Sequence, residues 1–408
     1  MSNENEKSQQ TRDRELRNDG DSPCPICSDA DLATFFEMHD IPTSDGRLWL
    51  TQEQARKAPT GDIRLAFCRN CGYIGNLAFD PQKVIYNQGY NASLEYSSHY
   101  RQFIHELAEE LVDRYALQHK KIIEIGCGSG EFLRLLCCLG QNEGLGFDPT
   151  PNARAILTDA DPSITFIQDF YSERYAQYTA DFVCCRHLLS SLSSPKELVN
   201  VVRLALQNGP TALAYFEMPD VRPILHDRAV WNLSYEHCSY FSAASLARFF
   251  AICGFDVVAS ASCFEGQYVG VTVKQTQAPA QALLTTRAAL DELAADVATF
   301  AEQFRHSVAM WHGRLNTFSG RRVVAWGAGG RAISFLNALG TSHQIEYVVD
   351  INPQKQGTFL AGTGQQIVPP SFLADYKPEL VIITNLAFEQ EVTHQARDLG
   401  LSCDFLLA

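Results

Sequence analysis

The sequence predicts an α/β chain built in three parts, on three observations. Two Cys-x-x-Cys pairs, Cys24-Pro-Ile-Cys27 and Cys68-Arg-Asn-Cys71, mark a small N-terminal unit. Two strand–glycine-turn–helix signatures follow, Lys121-Ile-Ile-Glu-Ile-Gly-Cys-Gly-Ser-Gly and Arg322-Val-Val-Ala-Trp-Gly-Ala-Gly-Gly-Arg. Each opens a Rossmann-like parallel sheet. The length agrees: 408 residues, at roughly 100–200 per domain, make two to four domains. The expected boundaries are a disordered tail over 1–21, a metal-binding unit over 22–80, and a central sheet domain over 81–278. A bridging helix over 279–319 and a C-terminal Rossmann-like domain over 320–408 complete the chain.

Composition removes several classes of function. Hydrophobic residues make up 46% and charged residues 20%, ordinary values for a chain that buries a core. Lys plus Arg minus Asp plus Glu is 33 − 47 = −14. A surface this acidic repels nucleic-acid phosphates and anionic lipid. No apolar run reaches the roughly 18 residues of a membrane span. Residues Met1 to Asp21 are almost entirely polar and lack the apolar centre of a secretory signal. The chain is therefore expected to be cytoplasmic, where thiols stay reduced.

Thirteen cysteines in a reducing compartment need another explanation than disulfides. Each Cys-x-x-Cys pair turns tightly enough to aim two sulfurs at one point. Cys24, Cys27, Cys68 and Cys71 together offer four thiolates, a set that suits a structural zinc ion with no open coordination position. The other cysteines lack paired spacing and read as small core residues.

In the centre, Tyr100 to Tyr115 shows helical spacing of apolar residues, and the strand beginning at Lys121 enters the turn at Gly126, Gly128 and Gly130. Glu131 stands where a dinucleotide turn needs its third glycine. An acid there, with Glu124 before the turn, favours a nucleoside without phosphates. Gly144 to Asp148 reads as the next strand, and its terminal Asp148 suits a ribose diol. Ile164 to Asp169, Ala180 to Cys185 and Thr211 to Glu217 read as further strands. Ligands in such sheets lie at the C-terminal strand ends. Asp169 there is expected at the adenine amino group and His187 near the cofactor. Beyond the last strand, Tyr235-Glu-His-Cys-Ser-Tyr240 gathers acid–base groups. His237 is the expected base, with Glu236 and Tyr235 in support, and Ser242 caps a helix over 243–253.

The order of these parts resembles the three-domain, S-adenosylmethionine-dependent sugar C-methyltransferases of deoxysugar and antibiotic biosynthesis. The resemblance rests on the cysteine pairs, the Gly-x-Gly-x-Gly turn, the Glu236-His237-Cys-Ser-Tyr-Phe-Ser242 segment and the second Rossmann-type turn. It implies a class I methyltransferase domain in the centre, structural zinc, and a base at His237 that deprotonates carbon beside a ketone. It also implies that aromatics near Tyr96 wall the cofactor. Three stretches depart from the family pattern: Ser234 replaces a tyrosine, Ser190-Ser191 replaces an acid–histidine pair, and Phe264 to Val269 replaces a glycine-rich stretch.

In the last third, Gln281 to Phe318 carries a long apolar stripe that reads as a buried helix face joining the last two domains. The turn at Gly327 to Ala332, with Asp350 ending the next strand, matches a Rossmann turn that holds an acceptor phosphate or nucleotide, or stays empty. The expected activity is transfer of a methyl group from S-adenosylmethionine to a small-molecule acceptor, most simply a nucleotide-linked keto-sugar or related metabolite. The alternatives are O- or N-methylation of another metabolite and a nicotinamide-dependent oxidation at the C-terminal turn. The chain is expected to act as a monomer or homodimer.

Overall fold

The computed structural model describes residues 17–18, 23–30, 32–84, 90–91, 94–150, 162–206, 209, 211–226, 230–276, 287–340 and 344–408. The tail expectation is corrected at two residues: β1 (Arg17–Asn18) pairs with Ala33 and Thr34.

The N-terminal sheet has the order β1-β2-β3-β4-β10. Long β2 (Leu32–Pro42) and β3 (Thr60–Cys68) run antiparallel, followed by short β4 (Ile74–Asn76). Phe36, Met38, Ile41, Ile63, Leu65 and Phe67 face the core. The edge strand β10 (Ser239–Tyr240) comes from far along the chain and pairs with β4. A piece of the expected central domain is thus built into the first sheet.

The central sheet joins β5 (Lys121–Ile125), β6 (Glu143–Phe147), β7 (Ile164–Ile167), β8 (Phe182–Arg186), β9 (Leu213–Pro219), β11 (Phe255–Cys263) and β12 (Tyr268–Gln275) in the order β11-β12-β9-β8-β5-β6-β7. β5 to β9 are parallel, and β12 and β11 close one side antiparallel. The parallel strands are apolar on both faces because helices cover both. The expected helix runs Ser98–Arg114; the Ser97 side chain accepts from the Tyr100 N–H and the helix buries Ile104, Leu107, Leu111 and Val112. Ser242 caps helix Ala243–Ile252 in a capping box with Ser245.

The C-terminal sheet is entirely parallel, in the order β15-β14-β13-β16-β17, from β13 (Val323–Trp326), β14 (Tyr347–Val349), β15 (Gln366–Val368), β16 (Leu380–Ile383) and β17 (Asp404–Leu407). In both parallel sheets the strand that enters the glycine turn lies between neighbours reached in opposite directions. That switch point opens a crevice at the strand ends.

The long helix spans Arg287–Thr317 among the described residues; Leu283 and Leu284 of the expected stripe lie outside them. It packs on the central and C-terminal units as expected, Trp231 meeting Phe304 at 5.5 Å, and on the first sheet as well. Phe300 and Phe304 each meet Phe36 of β2 at ring distances of 4.9 Å. Trp311 meets Phe335 of the C-terminal unit, also at 4.9 Å. The helix therefore ties the last sheet to the first, and one apolar cluster runs through both. The Cys-x-x-Cys turns instead share a cluster with the central sheet.

Candidate active site between two glycine turns

Both glycine turns open into a single cleft of about 1560 Å³. At the central turn the Gly126 N–H donates to Phe147 O at 2.8 Å. The Gly128 N–H donates to Asp148 Oδ2 at 2.9 Å, and Asp148 Oδ1 accepts from the Thr150 N–H at 2.8 Å and its hydroxyl at 2.6 Å. The C-terminal turn repeats this design. The Gly327 N–H donates to Val349 O at 2.7 Å, and Asp350 accepts from the Ala328 and Asn352 N–H groups at 2.8 Å each. Both aspartates thus brace the loop that would meet a ligand. Gly128 has φ +54° and open space where a Cβ would stand, so its backbone is bare toward the cleft.

Of the residues expected at the cofactor, Tyr96, Gly126, Gly128, Asp148, Asp169 and His187 line this cleft. Gly130 starts helix Glu131–Gly140 in the left-handed region, φ 80°. Glu124 is corrected: it lies buried beneath the turn, away from the cleft lining, held by the Leu133 backbone N–H. Burial pushes its carboxyl up to about 8, and Oε2 has no hydrogen-bond partner. Asp169 sits at the rim, bound to the Tyr175 hydroxyl at 2.5 Å and Arg174 at 2.6 Å.

His187 follows β8 with φ +56°, a conformation few non-glycine residues hold without external support. Its Nε2 lies 3.0 Å from Glu217 Oε1, and Arg186 Nη2 approaches the same oxygen at 2.8 Å. Glu217 is fully buried, and although burial opposes its charge, the Arg186 and His187 side chains hold its carboxyl down at about 2. A fixed anion thus orients the His187 imidazole at the cleft wall.

The segment carrying His237 is strapped from several sides. The Cys238 N–H donates to Ser190 O at 2.8 Å, and Cys238 O accepts from the Asn76 N–H at 2.9 Å. Burial, with His187 nearby, lowers the His237 imidazole to about 4, and Nδ1 has no partner among the described residues. It is a neutral ring with an unused buried nitrogen at the cleft. Glu236 also lines the cleft but does not hold His237: it accepts from the Asp45 N–H and the Tyr90 hydroxyl, both at 2.7 Å. Tyr235 is corrected outright. It is fully buried in the first sheet's core, its hydroxyl accepting from the Asp80 N–H at 2.9 Å. Tyr235 and Glu236 form a turn, closed by the His237 N–H donating to Ser234 O at 3.2 Å, and the Tyr235 ring leaves the cleft face there.

Sequence reasoning missed Asp45 and the role of Arg331. Asp45 lies in the loop after β2 and bears no motif; only the folded first sheet carries it to the cleft. Arg331 stands inside the second glycine turn, where the glycines drew the attention. Its guanidinium is buried, donates to Asn385 at 3.0 Å and Gln267 at 2.9 Å, and has no carboxylate at ion-pair distance among the described residues. Burial lowers it to about 10.

The four paired cysteines converge: Cys24 and Cys71 Sγ lie 3.6 Å apart, Cys27 and Cys68 Sγ 3.5 Å, and all four within 4.8 Å of one another. A tetrahedral zinc with Zn–S of about 2.3 Å sets sulfurs about 3.8 Å apart, so the thiols fit that ion. All thirteen cysteines lie outside any disulfide.

A methyltransferase-domain family model matches residues 96–260, and the model of the C-methyltransferase C-terminal domain matches residues 268–402. The chain is 23% identical over 397 residues to the C-methyltransferase NovU of Streptomyces niveus, covering 92% of each chain. Solved structures similar to it include an O-methyltransferase family protein from Burkholderia thailandensis, at 17% identity and TM-score 0.37 over 43% of this chain and 56% of that one. Another is the magnesium protoporphyrin IX methyltransferase of Synechocystis PCC 6803 with bound SAH, at 13% identity and TM-score 0.35 over 44% and 84%. With its two matched domains, the chain is an S-adenosylmethionine-dependent methyltransferase that is similar to C-methyltransferases.

Proposed function

We propose that this enzyme methylates a carbon beside a carbonyl group of a small anionic acceptor, most simply a nucleotide-linked keto-sugar. The observation that carries the reading is the single cleft shared by two glycine turns, with the unpartnered Nδ1 of His237 between them in sequence and at its wall. The turn at Gly126, Gly128 and Gly130 would hold S-adenosylmethionine, with Asp148, Asp169, His187 and Tyr96 around it and Glu124 bracing from below. When bound, that cofactor supplies a methyl group on a positively charged sulfur, which a carbon nucleophile accepts. The acidic lining and the lack of a pyrophosphate-type third glycine fit a cationic nucleoside.

His237 generates the nucleophile by taking the proton from the carbon next to the carbonyl. Its neutral, desolvated ring is in the accepting form at pH 7. His187, oriented by Glu217, lines the same wall and shapes the path of the acceptor. Arg331, a buried cation without an acid partner, is the natural counter-charge for an acceptor phosphate. Cys24, Cys27, Cys68 and Cys71 hold a structural zinc, and thirteen cysteines outside any disulfide fit a reducing, cytoplasmic setting.

Incubation with S-adenosylmethionine and dTDP-4-keto-6-deoxyglucose, with S-adenosylhomocysteine release as readout, tests the reading. Solvent deuterium entering the sugar beside its carbonyl, without the methyl donor, identifies carbon chemistry. Methylation at oxygen or nitrogen of other metabolites, with no such exchange, would replace it with an O- or N-methyltransferase.

A further inference from the structure

Two carboxylates meet at the cleft from opposite ends of the chain. Asp45 arrives on the loop after β2, and Glu236 on the segment before β10. The Asp45 N–H donates to Glu236 Oε1 at 2.7 Å. Asp45 Oδ2 accepts from the Ser234 hydroxyl at 2.5 Å, and Ser234 Oγ accepts from the Glu236 N–H at 3.1 Å. The three residues form a closed hydrogen-bonded loop that runs through the Asp45 and Glu236 backbone N–H groups, with Tyr90 donating to Glu236 from outside. Asp45 also touches the second glycine turn, where a Cβ on Gly330 would stand 2.3 Å from its Oδ2.

Neither acid has a basic side chain at ion-pair distance among the described residues; Lys355 acts on Asp45 only at longer range, itself held by Ala328 O at 3.0 Å and Asp350 at 3.7 Å. Two like charges desolvated at one place cannot both persist without a cation or a proton. His237 Nδ1, unpartnered at the same cleft, shows that the pocket awaits a polar ligand.

We propose that Asp45 is a second acid–base residue of the methyl transfer: with Glu236 it holds one proton, which it delivers to the carbonyl oxygen of the acceptor. The proposal rests on the C-methylation reading. As His237 takes the proton from carbon, the C–H electron pair forms the C=C bond. The carbonyl π pair then takes the proton from the Asp45–Glu236 pair, giving an enol. When the enol carbon is alkylated, the carbonyl re-forms and the O–H proton returns to the pair. The net proton lost from the acceptor leaves on His237. Burial raises both carboxyls, Asp45 to about 6 and Glu236 to about 8, and the Asp45 charge adds to the rise at Glu236. Among the groups facing them, Tyr90 lowers Glu236, while Ser234 and Lys355 lower Asp45. The pair therefore keeps a proton at pH 7 and loses it on the alkaline side. Ser234, standing where the resembling family has a tyrosine, donates to Asp45 Oδ2 and so positions that carboxyl at the cleft. The N-terminal unit likewise gains a direct part in the chemistry.

Infrared difference spectra at pH 7 test the shared proton without any acceptor. The double variant Asp45→Asn/Glu236→Gln should lose one protonated-carboxyl band relative to wild type; loss of ionised carboxylate bands alone would overturn the proposal. Deuterium exchange into dTDP-4-keto-6-deoxyglucose then tests its use. Asp45→Asn and Ser234→Ala should slow exchange about a hundredfold or more, with S-adenosylhomocysteine affinity and zinc content unchanged as the check on folding. Asp62→Asn, on the exposed side of the first sheet, should exchange at the wild-type rate. Equal exchange by wild type and Asp45→Asn would refute the assignment while leaving C-methylation standing. No exchange by wild type would reject the keto-sugar instead, and the infrared result would still decide the proton.

Discussion

His237 and Glu124 are both buried titratable groups, and burial drives them in opposite directions because one is charged when protonated and the other when not. His237 stays neutral down to about pH 4. The acid limb of kcat/KM should therefore lie near pH 4 rather than near the 6.5 of a free imidazole. His187→Asn should move that limb upward by removing a neighbouring positive charge. His237→Ala should cost at least about a hundredfold in turnover while calorimetry shows unchanged S-adenosylhomocysteine binding; undiminished turnover would remove it as the base. Glu124 has the opposite sign. Its folded carboxyl holds a proton up to about pH 8, against 4.5 as the ordinary value. Its contribution to stability is complete below pH 4.5 and is lost as pH rises through 8. Glu124→Gln should thus widen its Tm advantage over wild type between pH 5 and pH 9, and parallel melting curves would contradict the buried, unpaired oxygen.

The central strand–turn–helix unit works because backbone, not side chain, faces the ligand. Gly128 sits at φ +54° with its amide tied to Asp148. Gly128→Ala forces a Cβ into the left-handed region, at a cost of about 1–2 kcal/mol. The new methyl meets no protein atom within 4 Å, so it enters the space assigned to the methyl donor. S-adenosylhomocysteine affinity should fall at least tenfold while the chain still folds; unchanged affinity would place the donor elsewhere. The C-terminal turn has the same hydrogen bonds but carries Arg331 where the central turn continues as Glu131. Glu131 is paired with Arg134 at 2.7 Å and does not line the cleft, whereas Arg331 does, so the C-terminal turn alone places a cation at the cleft.

The three sheets do not form three independent cores. The long helix Arg287–Thr317 joins the first sheet to the last, and the cysteine turns pack with the central sheet. Loss of zinc should therefore reach beyond the N-terminal unit. Metal analysis should find one zinc per chain, and a chelator or Cys68→Ser should lower Tm and turnover together, because the loop bearing Asp45 is hung from the same sheet. A metal-free preparation with unchanged Tm would show that the four thiols suffice as a packed apolar cluster.

Local chemistry made much of this readable in advance. Paired cysteines must turn sharply, and glycines between an apolar strand and a helix must adopt conformations other residues avoid. Hence the thiol cluster, the strands β5 to β9 and both Rossmann-type turns are legible in the order of residues. Signals of that kind vanish where a contact joins distant segments. Nothing near Asp45 announces a cleft, since its place depends on β10 pairing with β4 across the chain. Tyr235 illustrates the converse: its proximity to His237 along the chain implied a shared pocket, but the turn at Tyr235 and Glu236 sends its ring into the core of the first sheet. Identity of side chains set the chemistry available, whereas burial and long-range pairing decided which of them face one another and which remain charged.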